Sequence, residues 1–380
     1  MFFLTKTITA AVIEAKNADF KLEKLQLDDE PQAGEVLVKM VASGICHTDQ
    51  AVRDGSAGAY PYPGVVGHEG AGIIEKVGIG VNNIKPGDHV ILSYDYDGTC
   101  EQCRTGHPSS CLNWANLNTA GVRPNGETPF HKEDGTPVHN FFNQSSFTTE
   151  TLVQANNVTV IDKSIDLRKV GPLGCGFVTG SGTVFNGLKP EAGSTIAIVG
   201  TGAVGAGSLM AASIRGCAKI ICVDIVDQRL ETAKELGATD VINSKKEDWV
   251  AKIKELTNQK GVDYAIDTTG RAEIMKQCVS ALASGGHFAP IAVTAQTLEF
   301  MPWNELTAEQ KHVDGVLMGD AVPQILLPQL VNYWQQGKFP FDKLEKVYNF
   351  DQINEANADS NNGKVIKPVL IIDPEYQPGN

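Results

Sequence analysis

The stretch Thr195-Ile196-Ala197-Ile198-Val199-Gly200-Thr201-Gly202-Ala203-Val204-Gly205 decides the fold. Its first five residues form an unbroken, largely β-branched run, the pattern of a strand covered on both faces. Gly200, Gly202 and Gly205 then form a Gly-x-Gly-x-x-Gly turn where a helical stretch begins. Glycine at these three places allows a tight turn, close approach of a pyrophosphate and close packing of helix on strand. A helix starting there points free N–H groups and the positive end of its dipole at the phosphates. A second apolar strand, Lys219-Ile220-Ile221-Cys222-Val223-Asp224, ends in a carboxylate nineteen residues after Gly205. There Asp224 can accept bonds from both hydroxyls of an adenosine ribose, and it repels a 2′-phosphate. The following Ile225-Val226-Asp227-Gln228 brings no cation, and Arg229 comes late. The expected coenzyme is therefore NAD and not NADP.

Outward from this turn, β/α alternation continues through Ala233-Lys234-Glu235-Leu236-Gly237, Tyr264-Ala265-Ile266-Asp267 and His287-Phe288-Ala289-Pro290-Ile291. This predicts an α/β, doubly wound parallel-sheet domain over residues 178–319. The preceding residues are rich in Gly and Pro. Their short β-like runs, such as 35–41 and 88–92, are separated by turn signals such as Lys85-Pro86-Gly87-Asp88 and Pro124-Asn125-Gly126. Residues 1–177 thus read as an irregular, mostly β domain. The tail has a helical stretch at 323–336 and a last strand near 365–370. It is expected to return to the first domain, so that 320–380 belongs with 1–177.

The 380 residues are 42% apolar and 20% charged, ordinary values for a soluble globular chain of about two domains. A formal net charge of −13 argues against nucleic acid or an anionic membrane as the main partner. No apolar run is long enough to span a membrane. Met1-Phe2-Phe3-Leu4-Thr5-Lys6 lacks the basic n-region and long apolar core of a signal peptide. Eight cysteines in this length do not make a disulfide scaffold, and in an intracellular chain clustered cysteines favour metal ligation. The expected location is cytoplasmic.

Three segments carry the metal chemistry: Gly44-Ile45-Cys46-His47-Thr48-Asp49, Gly67-His68-Glu69-Gly70-Ala71-Gly72 and Gly174-Cys175-Gly176. Two thiolates and one imidazole suit a zinc ion with one position left for water or a substrate oxygen. Taken singly, His68 also reads as a satisfied core histidine, and Cys46 and Cys175 as small buried hydrophobes. A second cluster joins Asp97, Cys100, Cys103 and Cys111. Cys217, Cys222 and Cys278 read as core residues.

Gly67 to Gly72 with Gly78 and Val81, the Cys46 segment, the cysteine lobe, the Gly-Cys-Gly segment, the dinucleotide turn and the C-terminal strand follow one another in a familiar order. Over nearly its whole length the chain resembles the zinc-dependent medium-chain alcohol dehydrogenases. The resemblance implies a Rossmann coenzyme domain, a GroES-like catalytic domain, and reversible NAD-dependent oxidation of a primary alcohol to its aldehyde. It implies that Cys46, His68 and Cys175 hold a catalytic zinc that polarises the alcohol oxygen. Thr48 would hydrogen-bond that oxygen and start a proton relay. Asp49 would fix the His68 tautomer, and Glu69 would ligate the metal transiently. His47 and Lys367 would face the pyrophosphate. Thr179 and the backbone at 291–293, including Val293, would hold the nicotinamide side, with Met318 near it. The family's structural zinc lobe has four cysteines; here Asp97 stands first, so an Asp–Cys₃ zinc site is expected. Where relatives often have His three residues after Thr48, this chain has Ala51. The proton then leaves by ribose, water or His47.

Within the family, His47-Thr48-Asp49 with Val52-Arg53-Asp54, Leu92-Ser93-Tyr94 and Phe141-Phe142 before Gln144-Ser145-Ser146-Phe147 resemble the benzyl (aryl) alcohol dehydrogenase branch. That implies an aromatic or allylic alcohol, with Tyr94, Trp114, Phe141 and Phe142 as pocket candidates; ordinary core packing is their other reading. An S-hydroxymethylglutathione or polyol dehydrogenase stays open, as does a zinc-free quinone reductase or a non-catalytic nucleotide-binding protein. Cys175, where polyol relatives usually carry Glu, opposes the polyol reading. The joint presence of Cys46, His68, Cys175 and Thr48 opposes the zinc-free ones. Residues 315–319 lie where relatives join sheets edge to edge, implying a homodimer or homotetramer.

Overall fold

The structure, a computed structural model, describes residues 5–56 and 58–379; residues 1–4 of the N-terminal stretch read above lie outside them. The chain divides into two compact units.

One unit comprises Gly176–Ala321 and Asn332–Phe341. Its sheet has six parallel strands: Thr195–Val199, Lys219–Asp224, Asp240–Asn243, Val262–Asp267, Leu282–Pro290 and His312–Val313. Numbered along the chain, their order across the sheet is 3-2-1-4-5-6. The order reverses beside Thr195–Val199, the place where open α/β sheets bind ligands at the carboxyl ends of their strands. The alternation read from the sequence forms because the central strands Thr195–Val199 and Lys219–Asp224 are apolar on both faces. Ala197, Ile221, Ala265 and Phe288 meet Trp249, Ile253, Met275 and Val279 from covering helices in one buried cluster. Each large side chain so buried contributes about 1.5–3 kcal/mol.

Asn332–Phe341 departs from the expected domain limits, which placed it with the catalytic domain. Its aromatic residues explain the difference. Phe339 and Phe341 are fully buried, with ring centroids 6.3 and 5.4 Å from Phe177, and Trp334 lies 5.3 Å from Phe341.

The other unit takes the described residues up to Cys175, Val322–Val331, and those from Asp342 on. It holds a five-stranded sheet built on the antiparallel pair Thr5–Ile13 and Lys21–Asp28. A seven-stranded sheet centres on Glu35–Gly44, which pairs with Gly70–Val77, Glu150–Gln154 and Lys367–Ile371. Pairing Val369 with Gly44 returns the C-terminal strand to the segment that carries Cys46. Among the described residues no helix is long and apolar enough to cross a membrane.

Candidate active site

Cys46 stands at the N-cap of the short helix His47–Arg53, whose third residue is Asp49. One Asp49 oxygen accepts the Cys46 N–H at 2.9 Å. The other accepts the Gly67 N–H at 3.0 Å and lies 2.9 Å from His68 Nδ1. A carboxylate only accepts, so Nδ1 carries a proton and Nε2 is the ring nitrogen left to ligate a metal. Both side chains are 0% exposed, and Nε2 is buried with no hydrogen-bond partner. Cys175 is delivered by a backbone approach that only glycine permits. A Cβ on Gly174 would lie 2.0 Å from Leu92 O, and Ser93 Oγ donates to the Gly174 carbonyl at 2.6 Å. One ligand atom each from Cys46, His68 and Cys175 then lies within 4.8 Å of the others. An orphaned imidazole nitrogen facing two sulfurs fits a zinc ion, whose bonds to S and N run about 2.3 and 2.0–2.1 Å.

The electrostatics agree. The bond from Cys175, aided by Lys367 and His68, holds the Cys46 thiol well below its ordinary pKa against burial. Sharing with Cys46, together with burial, holds Cys175 well above. Thr48 Oγ1 lies 3.7 Å from Cys46 Sγ, and His47 is exposed at the start of the same helix. Lys367 lies inside. Its side chain is 2% exposed, 2.8 and 2.9 Å from the two Glu69 oxygens and 3.3 Å from Ile45 O. Burial opposes its charge, and Glu69 and Cys46 overcome that and keep it protonated. Glu69, expected as a transient ligand, is engaged in the same buried pair.

In the other unit the Gly-rich turn closes as its sequence requires. A Cβ on Gly205 would sit 1.9 Å from Gly200 O, so helix Ala203–Arg215 starts hard against the strand. A Cβ on Gly202 would meet nothing within 4 Å, which leaves open space at the helix N-terminus, as a phosphate cradle needs. Asp224 accepts the Thr201 N–H and hydroxyl at 2.8 Å on one oxygen. Its other oxygen accepts the N–H of Ile225 and Val226 at 2.7 and 3.0 Å. The carboxylate is thereby fixed at the strand end. Thr179 donates to the Met318 sulfur at 3.8 Å, and Val293 is 70% exposed.

Residues 32–162 match the family described as alcohol dehydrogenase GroES-like domain, and residues 203–332 the family described as zinc-binding dehydrogenase. The chain belongs to the zinc-dependent medium-chain alcohol dehydrogenases. It is 36% identical to geraniol dehydrogenase of Castellaniella defragrans over 95% of this chain and 97% of that one. It is 32% identical to S-(hydroxymethyl)glutathione dehydrogenase of Saccharomyces cerevisiae over 97% of each. The crystal structure of benzyl alcohol dehydrogenase from Acinetobacter calcoaceticus superposes with a TM-score of 0.93 at 46% identity, covering 97% of this chain and all of that one. As a member of this family the protein is an oxidoreductase acting on a small-molecule alcohol, and membership implies zinc and NAD(H).

In this alcohol dehydrogenase the candidate pocket residues gather unevenly. The Phe142 and Phe141 rings lie 4.8 and 5.5 Å from the His68 ring, and Trp114 stands edge-on to Phe142 at 5.6 Å. Tyr94 is fully buried beside Tyr96, 6.0 Å away. The residues that hold this wall escaped the sequence reading. Gln144 Nε2 donates to the carbonyls of His68 and Ser93 at 3.1 and 2.8 Å, and buried Asp95 accepts from Asn143 at 3.0 Å. An Asn after two Phe gives no signal that it will bond a residue 48 positions earlier.

The second cluster also closes. Single ligand atoms of Asp97, Cys100, Cys103 and Cys111 lie within 4.8 Å of one another. Asp97 accepts the N–H of Thr99 and Cys100 at 2.8 and 2.9 Å. The Cys100 N–H, with that of Thr99 and the Asn113 amide, keeps its carboxyl ionised well below the usual range. Of the three core cysteines, Cys222 and Cys278 are fully buried, whereas Cys217 is only half-buried. One edge of the six-stranded sheet is His312–Val313 and the other is Asp240–Asn243; within the 315–319 segment, Met318 and Gly319 are buried.

Proposed function

We propose that this enzyme oxidises an aromatic or allylic primary alcohol such as benzyl alcohol to its aldehyde, reversibly, with NAD as hydride acceptor. The wall of Phe141, Phe142 and Trp114 beside the unpartnered nitrogen of His68 carries this reading. Flat rings favour offset or edge contacts with one another, so this wall suits a planar, unsaturated alcohol whose oxygen points at Nε2 and the two sulfurs. The likeness to a benzyl alcohol dehydrogenase and a geraniol dehydrogenase supports it.

Zinc, when bound by Cys46, His68 and Cys175, supplies Lewis acidity to the alcohol oxygen. Asp49 keeps the His68 proton on Nδ1, so that Nε2 remains a donor to the metal. Thr48 Oγ1 takes the hydrogen bond from the alcohol and passes its proton toward the coenzyme ribose or the exposed His47, since Ala51 offers no base. The buried rings exclude water. Asp224, with no cation in the next four residues, selects NAD. Thr179 and the backbone around Val293 hold the nicotinamide side, and Asp97 with Cys100, Cys103 and Cys111 holds a second, structural zinc. Exposed Val313 and Leu317 beside an open sheet edge favour a homodimer or homotetramer. Eight unpaired cysteines favour the cytoplasm.

A panel of benzyl alcohol, geraniol, ethanol, sorbitol and formaldehyde with glutathione, each with NAD and NADP, tests the reading. The expected kcat/KM is highest for benzyl alcohol or geraniol, at least tenfold above ethanol, and at least tenfold higher with NAD. A preference for ethanol or for the glutathione adduct sinks it.

A further inference from the structure

Residues 140–147 are buried without exception, yet Phe142, Asn143 and Ser145 take φ values of +52°, +49° and +48°. Left-handed backbone is unusual for any residue but glycine, least so for Asn and Asp, and uncommon for a bulky ring. Such conformations persist only where the surroundings over-determine them, and they collect at functional sites. Here the determinants are explicit. Asn143 Nδ2 donates to Asp95 at 3.0 Å, and Asn143 Oδ1 accepts from Asn140 at 3.1 Å. Asn157 donates to the Phe142 carbonyl at 2.9 Å. Asp95 is 1% exposed, and its second oxygen is taken by the Tyr96 N–H at 2.8 Å. The turn they impose lays the Phe142 ring 4.8 Å from His68. A buried polar network can serve stability alone. This one is fastened to the two residues whose backbone must invert to present that ring.

We propose that Asp95 and Asn143 are positioning residues that hold Phe142 as a rigid wall of the alcohol site, and so set its preference for flat unsaturated alcohols over saturated ones. The proposal rests on the reading that alcohols bind at His68. It requires no contact of Asp95 or Asn143 with substrate. Their bond has a direction that can be reversed. With Asp95→Asn alone, an amide faces the Asn143 amide; with Asn143→Asp alone, two carboxylates face each other. In the exchanged pair, Asp95→Asn/Asn143→Asp, the carbonyl at 95 still accepts from Tyr96 and its amide donates to the carboxylate at 143. Position 143 still accepts from Asn140 and still tolerates a positive φ.

The experiment measures kcat and KM for benzyl alcohol and for cyclohexylmethanol in the wild type, both single variants, the exchanged pair and Asn143→Gly, with zinc content and Tm for each. The expected result is a rise of at least tenfold in the benzyl alcohol KM of each single variant, with less than threefold change for cyclohexylmethanol and unchanged zinc. The exchanged pair returns to within threefold of wild type. If the single variants fold poorly, the exchanged pair and Asn143→Gly, which takes the turn without strain but lacks the amide, still decide. The exchanged pair is then expected to keep the selectivity and Asn143→Gly to lose it. Equal loss for both alcohols, tracking Tm, overturns the proposal by reducing the network to structural support. Retained selectivity in every variant overturns it while leaving the functional reading intact. A wild type that does not prefer benzyl alcohol overturns both.

Discussion

Replacing Asp49 by Asn probes the metal centre through a residue that has no place among its ligands. Asp49 accepts three bonds: from Cys46 N–H, Gly67 N–H and His68 Nδ1. The amide offers one accepting oxygen. If that oxygen keeps Gly67 and His68, the new NH₂ group points at the Cys46 N–H; if it keeps Cys46, the His68 tautomer loses its partner. In the first case one buried donor goes unpaired and in the second two do, each costing about 1–3 kcal/mol of stability, or about 2–4 °C in Tm for each kcal/mol. The imidazole also loses the negative charge that raises its basicity. Loss of such a partner typically weakens metal binding about 10–100-fold, equivalent to about 1.4–2.7 kcal/mol. The assay is chelator competition on purified Asp49→Asn, followed by metal analysis. Zinc at Cys46, His68 and Cys175 should leave at about 10–100-fold lower chelator concentration than in the parent. The Asp97 lobe lies elsewhere and should keep its zinc, an internal control. A folded Asp49→Asn protein whose two zinc ions leave at the parent's chelator concentrations, within threefold, would refute the argument.

Three further outcomes follow from the same geometry. Asp224→Gly removes the fixed carboxylate and should lower kcat/KM for NAD at least tenfold while raising that for NADP; unchanged ratios contradict its assigned role. Cys103→Ser should reduce zinc from two to one per chain and lower Tm with the remaining site still loaded, and an unchanged zinc count removes the lobe from the account. Glu345 gives a pH test. Burial pushes its carboxyl up to about 9 from an ordinary 4.5, Asp342 adds to this, and Lys169 opposes it. Between those values the folded chain holds a proton that the unfolded chain has released, so stability falls as pH rises from 4.5 to 9. Glu345→Gln should therefore raise Tm little at pH 5 and clearly at pH 8.5; equal gains at both pH values contradict the sign.

The sheet order and the metal triad differ in how plainly they can be read. Thr195–Val199 and Lys219–Asp224 are apolar on both faces and flank a Gly-x-Gly-x-x-Gly turn, so local pattern alone predicts a doubly wound sheet. Cys46, His68 and Cys175 are legible only through their flanking motifs, because no spacing along the chain brings them together. The pairing of Lys367 with Glu69 is not legible because it depends on strand register. Pairing Val369 with Gly44 draws the Lys367 ammonium inside against Glu69, which no local pattern encodes. Phe339 and Phe341 follow the helical stretch without any local signal and pack against Phe177. The inverted backbone at Phe142 and Asn143 is invisible for a similar reason. Asn tolerates a positive φ in many settings, and what selects it here is Asp95, distant in sequence.

The central claim is that zinc sits among Cys46 Sγ, His68 Nε2 and Cys175 Sγ and is needed for alcohol oxidation. Anomalous scattering at the zinc edge, from crystals of the active enzyme grown without added metal, tests it most directly. A strong peak should lie about 2.3 Å from both sulfurs and about 2.0–2.1 Å from Nε2. No density there, in protein that turns over benzyl alcohol at full rate, contradicts the claim.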